Sequence, residues 1–213
     1  MATKSFDKWD TDDVERTFGL QRVRHSPVFD EWMSAKHTPE DYERAMIERF
    51  REELTEAVDS WNEDELKFRF IAPFIGLMRY NSSNINSFTQ RPLTAKVNDI
   101  TLTGRVDFMV ATGRTKPRQP FFFLHEYKKE RTGDSDPRAQ LLAEMLAARE
   151  LNHIEYPLYG TYIVGRNWFF IVLEASSYAE SLAFDATQDD IFHIFSILRE
   201  AKAIITRLAE KYV

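Results

Sequence analysis

Two rhythms of apolar and polar residues divide the chain. Thr38-Pro39-Glu40-Asp41 reads as a helix start, with a capping Thr, Pro at the first helical position and acids facing the helix dipole. That helix is expected to run to about Ser60. Asn62-Glu63-Asp64-Glu65 opens a second, with Leu66, Phe70, Ile71, Phe74 and Leu77 at helical spacing. After Tyr80 the texture changes. Residues 81–84 are a polar turn, and 87–97 and 100–111 read as strands joined by a tight turn at Asn98-Asp99. Residues 113–120 form a loop with three basic residues, and 121–128 form a third strand. Asp136-Pro137 starts a helix that reaches about Leu151, apolar at Leu141, Leu142, Met145 and Leu146. A hairpin follows at 158–164 and 168–173. A last helix from about Gln188 to Lys211 carries the stripe Ile191, Ile194, Phe195, Leu198, Ile205 and Leu208.

The first 36 residues read as short helical pieces and turns, such as a helix begun at Asp10 and stopped by Gly19. Helix, helix, three strands, helix, two strands, helix predicts an α/β fold, a mixed β-sheet flanked by helices. The expected organisation is an N-terminal helical segment over 1–61 and an α/β domain over 62–213.

Composition narrows the chemistry. Of the 213 residues 43% are hydrophobic and none is cysteine, which predicts a globular chain without disulfides, thiol nucleophiles or cysteine-ligated zinc. No apolar run approaches bilayer length and the N-terminus has no signal-peptide pattern, so a cytoplasmic location is expected. The net charge of −6 argues against a strongly basic nucleic-acid-binding domain, so any such contact is expected to be local.

One stretch stands out. In FFFLHEYKKE, residues 121–130, four apolar residues run directly into His125, Glu126, Tyr127, Lys128, Lys129 and Glu130. Residues i and i+2 of a strand share a face, so Glu126 and Lys128 point one way while His125 and Tyr127 point the other. The preceding strand contains Gly104-Arg105-Val106-Asp107. If the two strands are neighbours, Asp107 sits beside Glu126. Two carboxylates converging next to a lysine are poor structure and useful chemistry. Hard oxygens suit Mg²⁺, a bound ion acidifies water and neutralises a phosphodiester, and a lysine orients water or stabilises developing negative charge.

Asp107…Glu126-Tyr127-Lys128, on these elements, resembles the PD-(D/E)xK phosphodiesterase superfamily, the restriction-endonuclease-like fold, over about residues 62–175. That family's core runs α-β-β-β-α-β, with the Asp on its second strand and Glu-x-Lys on its third. The whole chain also resembles short, stand-alone bacterial members. The resemblance implies a nuclease, endo- or exo-, that hydrolyses DNA with Mg²⁺ (or Mn²⁺). It assigns Asp107 and Glu126 as metal ligands and Lys128 as a catalytic residue. It matches Gln140, in DPRAQLLAEML, to a glutamine that some branches carry in the next helix, and Glu65 to a first-helix acid that often joins the metal shell. Here Val106 stands where the motif's Pro would be, and the long Asp-to-Glu spacing is absorbed by the loop at 113–120. A nuclease that cuts two strands often works as a twofold homodimer, which is the expected assembly.

Plainer roles compete at each position. Glu126 and Lys128 could be a solvated pair, Asp107 a residue bonded to a backbone amide, and Gln140 an exposed helix position. Glu65 could close a capping box with Asn62. Arg114, Lys116, Arg118, Lys129 and Arg131 could guide a phosphate backbone or simply be solvated. A second class of function is a nuclease-like fold kept as a binding or regulatory module in a bacterial defence or mobile-element system.

Overall fold

A computed structural model gives the fold and describes residues 2–128, 136–153 and 156–212. The strands are β1 (Ala2–Ser5), β2 (Gln21–Val23), β3 (Ile85–Val97), β4 (Ile100–Thr112), β5 (Arg118–Lys128), β6 (Leu158–Val164), β7 (Asn167–Glu174), β8 (Ser177–Glu180) and β9 (Phe184–Asp185). The helices are α1 (Thr11–Phe18), α2 (Pro27–Met33), α3 (Asp41–Ala57), α4 (Glu63–Leu66), α5 (Ala72–Gly76), α6 (Pro137–Asn152) and α7 (Asp190–Tyr212). The fold is α/β, with a mixed sheet flanked by helices. Among the described residues no helix is long and apolar enough to cross a membrane.

The sheet runs β1-β4-β5-β6-β7-β8-β2, with β3 also paired to β4 and β9 to β7. β3 and β4 are antiparallel around Asn98-Asp99, as their alternation predicts, and Asn98 takes the positive φ that such a turn demands. β5 runs antiparallel to β4 and parallel to β6. Trp32 of α2 meets Phe123, Tyr159 and Phe170 edge-on and donates its indole N–H to Ile197 O of α7, so α2 and α7 cover the face carrying the odd-numbered residues of β5. On the opposite face, Leu141 and Met145 of α6 lie against Gly160 of β6. The even-numbered residues of β5, Glu126 included, look toward this side.

β4 forks. Its first residues, 100–103, pair with β1, and its last, 108–112, pair with β5. Between them, residues 104–107 have no strand on that edge, and the Phe6 ring packs over Gly104 instead. A Cβ at Gly104 would stand 2.5 Å from that buried ring. Gly104→Ala is therefore expected to lower stability by roughly 1–3 kcal/mol through overpacking, measured as a fall of several degrees in thermal midpoint.

Two expectations need correction. The segment 1–61 is not only helical: β1 and β2 join the same sheet as the rest of the chain, by parallel pairing to β4 and β8. Strands of three or four half-exposed residues have too short an alternation to read. The first long helix is capped by Glu40 rather than Thr38, because Glu43 answers it in a capping box and is itself buried against Arg199 of α7. The helix expected from Asn62 is present, capped by Asn62, and carries a π-helical turn at Lys67–Ile71 between its α4 and α5 segments. The N-terminal segment is also tied to α6. Asp136 caps α6 by accepting from Ala139 N at 3.1 Å, and accepts from Thr11 N and Oγ1 at 3.0 and 2.7 Å.

Candidate functional site

The fork is where the chemistry gathers. The β4–β5 ladder ends at Phe108 opposite His125, so one step further places Asp107 opposite Glu126, on the same face. Beyond that pair the strands separate. The Tyr127 N–H, freed from the ladder, donates to Asp107 Oδ2 at 3.1 Å. Asp107 is thus bonded to a backbone amide and set beside Glu126 at once, and the two roles do not exclude each other.

Asp107 Oδ1 draws two further donors. Lys67 Nζ lies 3.2 Å away and also bonds Glu63 Oε1 at 2.6 Å. Gln90 lies opposite Asp107 on β3, between the paired residues Thr89 and Arg91, and donates its side-chain amide to the same oxygen. Both donors depend on unusual backbone. Lys67 opens the π-helical turn, and Gln90 has φ +52°, a left-handed conformation that costs a non-glycine residue about 1–2 kcal/mol. Strain of this kind is concentrated at functional sites. Arg105, two residues before Asp107, donates to Gln90 O at 2.9 Å and is exposed, which puts another cation on the rim.

Glu126 is 1% exposed, which rules out the solvated-pair reading. Lys128 Nζ lies 2.8 Å from its Oε1, while Oε2 has no hydrogen-bond partner among the described residues. Burial, with the Asp107 charge adding to it, pushes the Glu126 pKa up to about 8. Burial alone would lower the Lys128 pKa, but Glu126 outweighs it and holds the ammonium charged. Lys67 behaves alike: the Glu63 bond and Asp107 overcome its desolvation.

Gln140 is buried rather than exposed, and its amide lies 3.4 Å from Glu144 Oε1 one turn along α6. Glu144 is fully buried with Oε2 unpartnered among the described residues. Burial first, then the Glu126 charge, raises its pKa well above the ordinary value. Glu65, the expected first-helix acid, instead closes a capping box. It accepts from Asn62 N at 2.9 Å and donates its own N–H to Asn62 Oδ1 at 2.9 Å. The α4 acid linked to Asp107 is Glu63, through Lys67. His125 packs edge-on among Phe108, Phe123 and Tyr127, away from the carboxylates, as the alternation predicts.

Lys67, Gln90, Glu63 and Glu144 were missed by sequence reasoning. Lys67 and Gln90 reach Asp107 through backbone irregularities that leave no periodic trace. Glu144 had a readable signal, an acid one helical turn from Gln140 on the apolar side of its helix. The basic loop sits at the turn of the β4–β5 hairpin, past the far end of β4 from Asp107, with Arg114, Lys116 and Arg118 exposed. Lys129 and Arg131 lie outside the described residues.

Chemically, Asp107 and Glu126 offer hard oxygen donors, and Glu126 has a buried oxygen that no described residue satisfies. Two like-charged carboxyls at a fork are relieved by a shared cation. Among the described residues no three acidic or histidine side chains gather to cage an ion unaided. Two carboxylates with water and phosphate oxygens are nonetheless the donor set on which Mg²⁺ commonly relies. The chain matches no family model and no curated protein.

Proposed function

We propose that this chain is a metal-dependent nuclease of the PD-(D/E)xK phosphodiesterase superfamily, hydrolysing phosphodiester bonds in DNA with Mg²⁺ (or Mn²⁺). The observation that carries the reading is the fork, with Asp107, buried Glu126 and Lys128 converging where β4 and β5 part. The succession α4–α5, β3, β4, β5, α6, β6 supports a restriction-endonuclease-like core. Asp107 and Glu126 would hold the ion, which supplies Lewis-acid polarisation of the phosphodiester and acidifies water when bound. Lys128, kept charged by Glu126, stabilises the negative charge that develops on the phosphate. Gln140 orients the carboxyl of Glu144 behind Glu126. Lys67 is the cation on Asp107, and with an ion held by Asp107 and Glu126 it would be free to reach a substrate phosphate.

A second reading is a nuclease-like binding module. It is favoured by the fact that both Asp107 oxygens already have donors in Lys67, Gln90 and Tyr127 N. Calorimetric Mg²⁺ titration with cleavage of labelled linear and supercoiled DNA separates the two. A protein that binds no divalent ion and cuts neither DNA nor RNA is the module.

The hairpin loop gives an independent test of DNA contact. Neutralising Arg114, Lys116 and Arg118 together is expected to weaken binding across all sequences and to reduce the salt slope by roughly 0.9 for each phosphate no longer neutralised. An unchanged slope assigns the loop to solvent.

A further inference from the structure

Asp107 and Lys67 also form part of the wall of a cleft of about 590 Å³ between the α4–α5 segment and β3–β4, lined mainly by apolar surface. Ile71, Ala72 and Ile75 line it, together with Tyr80, Phe108 and Tyr127, which are themselves largely buried. Polar side chains, among them Asn81, Ser87 and Thr89, are set into the same wall. A flat apolar solute with hydrogen-bonding edges matches this lining, and the volume falls within the range of small-molecule sites.

The second observation is Phe68. It is 81% exposed, next to Lys67 on the π-helical turn, and one turn before Ala72 of the cleft wall. Flanked in the chain by Lys67 and Arg69, it offers an open aromatic face on which a base can stack. Lys67, Arg79 and Arg105 supply the positive charge on this side of the molecule, Lys67 and Arg79 from the cleft wall itself.

We infer that this cleft is a subsite for an unpaired nucleotide of a single-stranded or frayed DNA, its base lodged in the mainly apolar cleft and the neighbouring base stacked on Phe68. The inference rests on the nuclease reading and names its substrate class. A base inside a duplex is stacked on both sides and cannot enter such a cleft without being extruded, whereas an unpaired strand brings its bases free. Its phosphate then lies toward Lys67 and Asp107.

The test is binding of one fluorescent oligonucleotide, as single strand and as blunt duplex, by anisotropy in Ca²⁺, for the parent, Phe68→Ala, Phe68→Trp and Gly76→Phe. Gly76 lines the cleft, and a Cβ there meets nothing within 4 Å, so Gly76→Phe is designed to place a ring in the cleft, with thermal unfolding and duplex binding as the check on the fold. The parent is expected to prefer the single strand. Phe68→Ala and Gly76→Phe are each expected to weaken that binding about tenfold, in line with the loss of one base–aromatic stack, and to leave duplex binding within about twofold. Phe68→Trp is expected to retain it. Equal parental affinity for the two forms overturns the inference, and so does single-strand binding unchanged in both disruptive variants. Cleavage with Mg²⁺ is scored separately. Single-strand binding that depends on Phe68 and the cleft, without cleavage, supports the subsite and removes the nuclease reading. Cleavage with unaltered variant binding does the reverse.

Discussion

Asp107→Asn and Glu126→Gln are each expected to lose Mg²⁺ affinity and cleavage together, and Lys128→Ala to lose cleavage alone. An amide keeps the shape of the carboxylate but brings no charge to a hard cation. The carbonyl oxygen that Asp107→Asn retains can still accept from Lys67 or from the Tyr127 N–H, so the fork should persist while the ion is lost. Lys128 is different, because it sits 2.8 Å from Glu126 Oε1 and would compete with an ion for that carboxylate. Removing it should leave metal binding intact or tighter. Turnover should fall by roughly two or more orders of magnitude, the usual cost of one preorganised charge-stabilising donor. Paired calorimetry and cleavage on the three variants read both quantities. Lys128→Ala protein that cuts as well as the parent has no catalytic lysine at 128, and the assignment of the site fails with it.

How much of this was legible beforehand follows from the physics of each signal. Long elements with unbroken periodicity were readable: the 100–111 strand is observed as Ile100–Thr112, and the helix begun at Asp136-Pro137 runs Pro137–Asn152. The alternation in β5 correctly put His125 on the aromatic face and Glu126 opposite. Elements stabilised by partners rather than by their own pattern were not readable. β1, β2, β8 and β9 are two to four residues long, and tertiary pairing makes them strands. The cap at Glu40 was hidden because Arg199, far away in sequence, helps to hold Glu43 in place.

At the site the same division holds. Asp107, Glu126 and Lys128 follow from strand period and order, both of which are local. The adjacency of Asp107 and Glu126 was conditional on strand pairing that the sequence could not settle, and the register supplies it. Lys67 and Gln90 are visible only once the π-helical turn and the left-handed residue are in place. Glu65 illustrates a conflict between two local rules. Asn62-x-x-Glu65 is a capping box, and the cap holds the acid that the resemblance would have given to a metal.

Without divalent ions the thermal stability of the parent is expected to pass through a maximum and to fall toward pH 8. Glu126 binds its proton more tightly in the folded state, with a pKa of about 8 against 4.5, because of burial and the Asp107 charge. Its contribution is therefore complete below pH 4.5 and is lost as pH rises through 8, by at most about 5 kcal/mol at about 1.4 kcal/mol per unit. Glu144 acts in the same direction. His125 acts oppositely. Burial holds its pKa well below 6.5, so its contribution is present above that value and is lost as pH falls beneath it. Neither ring nitrogen has a partner among the described residues, so His125→Phe should fit the surrounding aromatics and relieve the acid side of the curve alone. Glu126→Gln should reduce the slope of the alkaline side, leaving the part due to Glu144, and should not affect the acid side. Saturating Mg²⁺ binds the ionised carboxylates and should restore the parent most at about pH 8 and least near pH 5. The measurement is the thermal midpoint of the three proteins across that range, with Mg²⁺ and with chelator. If Glu126→Gln shows the parent's pH slope, the buried carboxyl is not the group that titrates, and the tension proposed to draw a cation into the fork is absent.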